Sequence, residues 1–256
     1  MFNLHTHTWR CHHAKGDDEE YVLRAIANGY NTIGFSDHAP YVFPEGHISS
    51  FRMECELAED YAQSVKYLKE KYKGKIDVKL GFEVEWYPKF IKNELKYLKS
   101  FGYDYIICGQ HYTDSEVEEY AKYTGAKTND EKTLDKYINQ VIEAAKSGEF
   151  AYIAHPDLIN FTGKKEIYRE KMGYMAEELN KLNVPIEFNF LGFSDKRNYP
   201  NDEFWKIVSK TGNRVVIGLD AHSPDVYDDK KGINALKAKL ASYGIKPVEN
   251  VEEILK

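Results

Sequence analysis

Seven short apolar runs in this chain each end at or beside a residue able to bind a metal or a proton. That repetition limits the possible folds more than any single motif does. The runs are Phe2–His5, Thr32–Phe35, Val78–Phe82, Tyr105–Cys108, Ala151–Ala154, Pro185–Phe188 and Val215–Leu219. Between them lie helical patterns at about Asp18–Asn28, Glu54–Lys73, Pro88 to Gly102, Leu134–Ser147, Glu166–Lys181, Asp202–Lys210 and Lys231–Ser242, with a last turn at Val251–Leu255. Asp17 is the expected N-cap of the first helix, and Gly29, Gly74 and Gly148 are expected stops. Strand alternating with helix predicts parallel pairing through right-handed crossovers. The expected fold class is α/β, a distorted (β/α)7 barrel with its site at the C-terminal ends of the strands, in a single domain spanning residues 1–256. An open doubly wound sheet is the alternative, but no GxGxxG or Walker-type loop supports a nucleotide site there.

The polar residues fall on that ladder in order. The first strand ends in His5-Thr-His7, the second runs into Asp37-His38, the third ends at Glu83, and His111 follows the fourth. His155 ends the fifth with Asp157 close by, the sixth carries Glu187 and Asn189, and the seventh ends at Asp220-Ala-His222. In a parallel barrel these ends share one face. Residues i and i+2 of a strand point the same way, so HxH and DxH each present two donors to one ion. A lone HxH could arise among structural histidines; its combination with DxH and further His and Glu on other strands argues for a metal site. Nitrogen and carboxylate donors without an obligatory thiolate select zinc, manganese or iron over magnesium or calcium. The number of candidate ligands suits two or three divalent ions sharing bridging carboxylates.

The formal net charge of -6, with lysines interleaved among glutamates on predicted helices, argues against a nucleic-acid partner. No apolar run approaches the roughly 20 residues of a membrane span, and the N-terminus carries no secretory pattern. Three cysteines without a CxxC pair favour a reducing, cytoplasmic setting over a disulfide framework. Cys11 and Cys108 read as packing residues, although Cys11 stands beside His12 and His13.

The motifs His5-Thr-His7-Thr-Trp-Arg-Cys-His-His13, Gly34-Phe-Ser-Asp37-His38, Gly81-Phe-Glu83, Gly109-Gln-His111, Ala154-His155-Pro156 and Gly218-Leu-Asp220-Ala-His222 resemble the PHP (polymerase and histidinol phosphatase) superfamily, within it the monofunctional histidinol-phosphate phosphatase branch. The resemblance spans nearly the whole chain. It implies a trinuclear centre: His5, His7, Glu83 and Asp220 on a first ion, Glu83 bridging to a second held by His111 and His155, and His13, His38 and His222 on a third. Spacing favours His13 over His12. The run from Glu187 to Pro200 resembles the branch's strand-six loop, which implies that Arg197 meets substrate phosphate; Phe190-Leu-Gly departs from the branch's small polar residues there. Ser50-Phe-Arg52-Met53 also resembles a branch feature, making Arg52 a second phosphate candidate, with Arg10 a weaker one.

The expected activity is hydrolysis of L-histidinol phosphate to L-histidinol and phosphate. Glu83 acts in it as bridge, Arg197 and Arg52 as phosphate clamps, and Asn189 as a substrate contact or a support behind the ligands. Asp37 either protonates the leaving alkoxide or orients His38, the second role being preferred. Another small phosphate ester, such as phosphotyrosine or a nucleotide, is an alternative substrate. A metal-dependent amidohydrolase or a non-catalytic metal-binding module are the remaining readings.

Overall fold

The computed structural model describes residues 1–44 and 47–255. Strands β1 (Phe2–Asn3), β2 (Thr32–His38), β3 (Asp77–Val84) and β4 (Tyr105–Cys108) form one parallel sheet in chain order. Strands β5 (Ile186–Asn189) and β6 (Val215–Gly218) form a second parallel pair. The helices are α1 (Asp18–Ala27), α2 (Ala58–Lys71), α3 (Ile91–Lys99), α4 (Glu131–Ser147), α5 (Lys165–Lys181), the short α6 (Phe190–Ser194), α7 (Asp202–Thr211) and α8 (Lys230–Ser242).

Single parallel bridges join the two sheets into a ring. Ile153 bridges both Cys108 and Ile186, and Thr6 bridges Ala221. The fifth expected strand therefore survives only as this thin seam. Ile153 N–H donates to Pro185 O at 3.0 Å and Glu187 N–H to Ile153 O at 2.9 Å, but His155 leaves the extended region at φ 28° and Pro156 follows. At the other seam Leu219 N–H donates to the side-chain oxygen of Asn3 at 2.9 Å, so a side chain stands in for a ladder partner and β1 stops short of His5. The expected barrel thus forms, with two of its closures made by isolated bridges.

Helix starts follow local chemistry. Asp17 caps α1 with Glu20 reaching back to its N–H at 3.0 Å, and Asp130 and Asn201 cap α4 and α7. The glutamate-rich stretch expected to open a helix at Glu54 makes one 3-10 turn before α2 begins. The longer helices bury apolar stripes, as α4 does with Leu134, Tyr137, Ile138, Val141, Ile142 and Ala145.

Inside the ring a layer of Leu4, Tyr105, Ile107, Tyr152, Ala154 and Val216 closes the bottom. Gly34 and Gly81 make room for the Tyr105 ring there. The polar strand ends lie above this plug, so their side chains converge on one mouth.

Candidate metal centre

His5 and His7 flank Thr6, whose bridge to Ala221 fixes the first strand's end against the last. Their Nε2 atoms lie 3.1 Å apart. His5 Nε2 is 3.6 Å from Glu83 Oε2 and 3.5 Å from Asp220 Oδ1; His7 Nε2 is 3.5 and 3.2 Å from the same two atoms. A tetrahedral ion at about 2.0–2.2 Å from nitrogen and oxygen donors separates those donors by roughly 3.3–3.6 Å. The five edges, 3.1–3.6 Å, lie within or just below that spacing.

Glu83 faces both ways. Its Oε1 lies 2.9 Å from His155 Nε2 and 3.7 Å from His111 Nε2, while its Oε2 lies 3.1 Å from His38 Nδ1. A carboxylate placed so can be shared between two ions. Beside it, the rings of His7 and His222 stack at 4.1 Å between centroids, His13 is 4.7 Å from His222 and 5.3 Å from His38, and His7, His38 and His222 present donors to one another. His12 turns away through a left-handed backbone to Glu54, 3.3 Å from Oε1. Cys11 Sγ is 4.0 Å from His13 Nε2 and shares a cluster with His13 and His222.

These donors are short of partners. Glu83 Oε2, His38 Nδ1, His155 Nδ1 and His222 Nε2 are buried without a hydrogen bond, an expensive state for polar atoms in a protein without a cation among them. Burial works against the charged form of His5, yet Glu187, Asp220 and Glu83 raise its pKa to about 10. Burial together with the neighbouring His7 pushes His222 down to about 3 and His38 well below its ordinary value. Burial would raise Glu83 and Asp220, but the surrounding imidazoles hold both carboxyls well below the usual range. Neighbouring imidazoles that cannot all take protons, around carboxylates that stay charged, suit divalent ions.

A layer of supports lies behind. His5 Nδ1 is 2.8 Å from Glu187 Oε1, His7 Nδ1 is 3.3 Å from Asp37 Oδ1, and His111 Nδ1 is 2.7 Å from Glu85 Oε1. Such contacts fix which nitrogen faces the ion. Gly109 and Gly218 carry no side chain because a Cβ there would overlap the carboxylates of Glu83 and Glu187. Asp220 and His155, both at positive φ (50° and 28°), hold backbone conformations that favour glycine, a cost tolerated where a ligand must be aimed.

Several sequence expectations change. Asp37 faces His7 rather than the His38 ring, and it is buried while accepting from Thr8 N–H, the Thr8 hydroxyl and His38 N–H. The Asn189 amide donates to Glu187 at 2.9 Å and Asp220 at 3.1 Å and accepts from Gly192 N–H, so it braces ligands and caps α6 instead of meeting substrate. Arg52 is buried, paired with Glu85 at 2.9 Å and Glu116 at 2.7 Å, and is not free for phosphate. Arg10 is likewise taken by Asp18 and Asp60. Asp157 accepts from Trp205 Nε1 at 2.9 Å and Asn201 N–H, a packing role.

Arg197 alone among these arginines reaches the open side. A cleft of roughly 530 Å³ above the donors is walled by Phe51, Tyr112, Tyr123, Arg197 and Tyr199, with His13, His38, His111, Asp220 and His222 along its base. Arg197 is half exposed, pairing with Asp195 at 2.9 Å and donating to the Tyr199 hydroxyl at 3.3 Å. Sequence reasoning missed Glu85, although Glu83-Val-Glu85 has the i, i+2 spacing that puts both on one side of a strand. Tyr123 and Asp195 lie in loops and gave no such signal.

The family model described as the PHP domain matches residues 3–191. The chain is 28% identical over 234 residues to the "Probable histidinol-phosphatase" of Deinococcus radiodurans, covering 88% of this chain and 87% of that one. It is 29% identical over 249 residues to the "Histidinol-phosphatase" of Bacillus subtilis, covering 85% and 92%. The crystal structure of a histidinol phosphate phosphatase from Lactococcus lactis, complexed with zinc, L-histidinol and phosphate, superposes with a TM-score of 0.72 at 20% identity, covering 96% of this chain and 95% of that one. At that identity the superposition speaks to the barrel fold.

Proposed function

The chain belongs to the PHP domain family, and from that premise we propose that it is a metal-dependent phosphomonoesterase hydrolysing L-histidinol phosphate to L-histidinol and phosphate. The observation that carries the reading is the tetrahedral spacing of His5, His7, Glu83 and Asp220, with the remaining histidines gathered around Glu83 beneath an arginine-bearing cleft. His5, His7, Glu83 and Asp220 would hold one ion, Glu83 with His111 and His155 a second, and His13, His38 and His222 a third. Zinc, manganese and iron all suit this donor set. The names of the Deinococcus and Bacillus relatives point to the same substrate.

When bound, the ions supply Lewis-acid charge to the phosphate and activate water as the nucleophile. The residues do the rest. Arg197 donates to phosphate oxygens from the cleft wall, its fork already oriented by Asp195 and Tyr199. Glu187, Asp37 and Glu85 hold His5, His7 and His111 with Nε2 toward the centre. Phe51, Tyr112, Tyr123 and Tyr199 offer aromatic walls to an imidazole-bearing alcohol. No helix among the described residues is long and apolar enough to cross a membrane. The proposed setting is the cytoplasm, with a small phosphorylated substrate and no nucleic-acid or membrane partner.

The same aromatic walls favour a second reading, an aryl phosphate such as phosphotyrosine. Turnover of histidinol phosphate against a panel of aryl and nucleotide monoesters separates the two. A kcat/KM for histidinol phosphate well above every aryl ester supports the first; equal or lower values overturn it.

A further inference from the structure

We propose that Arg52 is a positioning residue for the metal centre, holding His111 through Glu85 and tying two of the loops that wall the cleft to that same carboxylate. The chain of contacts is continuous. His111 Nδ1 lies 2.7 Å from Glu85 Oε1, and Arg52 Nη2 donates to Glu85 Oε2 at 2.9 Å. With Glu85 purely an acceptor, His111 keeps its proton on Nδ1 and turns Nε2 toward Glu83. One side of the Glu85 carboxylate thus holds the ligand while the other is held by the guanidinium.

The remaining donors of Arg52 reach two other segments. Nε and Nη2 pair with Glu116 at 2.8 and 2.7 Å, in the segment after β4 that carries Tyr112 and Tyr123, and Nη1 donates to Ala39 O at 2.8 Å just beyond β2. Arg52 also stacks under Phe51, 4.4 Å from its centroid, and that ring meets His38, His111 and Tyr112 in the cleft. Two buried carboxylates need a compensating charge, and a planar fork satisfies both where a point charge satisfies one. Arg52 therefore fixes a ligand and two cleft walls at once.

The inference rests on the reading of His111 as a metal ligand, so His111→Ala is measured alongside. Purified, metal-loaded protein and the variants Arg52→Met, Arg52→Lys and Glu85→Gln are titrated with a competing chelator, and KM for histidinol phosphate is read at saturating zinc. Arg52→Met is expected to hold one ion 10- to 100-fold more weakly. At saturating zinc its KM should change far less than its metal affinity, and Arg52→Lys should recover part of that affinity. Unchanged metal retention in Arg52→Met, or a raised KM alone, overturns the proposal in favour of a packing or phosphate-binding arginine. If Arg52→Met does not fold, Glu85→Gln decides, since full retention of metal by that variant breaks the relay. Full retention by His111→Ala instead overturns the ligand reading on which the proposal stands.

Discussion

His5 faces Glu187 with Nδ1 at 2.8 Å and His7 with Nε2 at 3.1 Å, so one buried imidazole is held from behind by a carboxylate and meets a second imidazole in front. Glu187 also accepts from His155 N–H at 3.0 Å and from Asn189 at 2.9 Å, which leaves the carboxylate little freedom. Glu187→Gln keeps the shape and removes the charge. Metal affinity by chelator competition should fall about 10- to 100-fold with the fold retained by circular dichroism. Affinity equal to wild type would show that the charge behind His5 is dispensable.

Glu83 should be far less tolerant, because its two oxygens serve different groups of histidines. Glu83→Gln is expected to lower both metal content and kcat/KM by about two orders of magnitude or more, beyond the loss typical of an outer support. Elemental analysis with a phosphate-release assay checks this, and full retention of either quantity contradicts the bridging role.

Gly109 tests the same carboxylate from the backbone side. A methyl group there would overlap the Glu83 carboxylate, which is itself buried. Gly109→Ala should therefore behave like a weakened Glu83 variant, losing metal while the far-ultraviolet spectrum stays native. A crystal structure of the variant with Glu83 undisplaced would refute the steric account.

Arg197→Ala should act on substrate rather than on metal. The side chain is half exposed and already shared with Asp195 and Tyr199. The loss expected is that of charge-assisted hydrogen bonds, about 1.5–3 kcal/mol in kcat/KM, expressed chiefly as a raised KM. Steady-state kinetics with unchanged metal content is the expected pattern; an unchanged KM removes Arg197 from the phosphate site.

Glu94 predicts a pH dependence of stability away from the centre. It is buried in α3, one oxygen lacks a partner, and the other accepts a long 3.4 Å bond from Val42 N–H. Burial raises its carboxyl from 4.5 to about 8. The folded state then keeps a proton that the unfolded chain releases, so this contribution is full below the unfolded value and lost as pH rises through about 8. Glu94→Gln should raise Tm relative to wild type at pH 9, by an effect on the order of 2 kcal/mol, and change it little at pH 4. Equal Tm differences at both pH values would exclude this titration.

The alternation of apolar runs with capped helical stripes determined the α/β barrel, because strand length, helix period and turn residues are local properties of the chain. The same local logic placed His5, His7, Glu83, Asp220 and His222 at strand ends, where a parallel barrel makes convergence unavoidable. Local pattern also brought out a fifth strand, which tertiary pairing reduced to Ile153 between Cys108 and Ile186. What stands behind each ligand was decided only by folding. Asp37 meets His7, 30 residues away, instead of the ring of adjacent His38, and Asn189 faces its neighbours' carboxylates instead of the cleft. Arg52 and Arg197 look alike as loop arginines. The fold brings Glu85 and Glu116 to Arg52 from 33 and 64 residues along the chain and leaves Arg197 facing solvent. Which arginine is bound up and which is free depends on contacts between distant segments, and no sequence period carries that information.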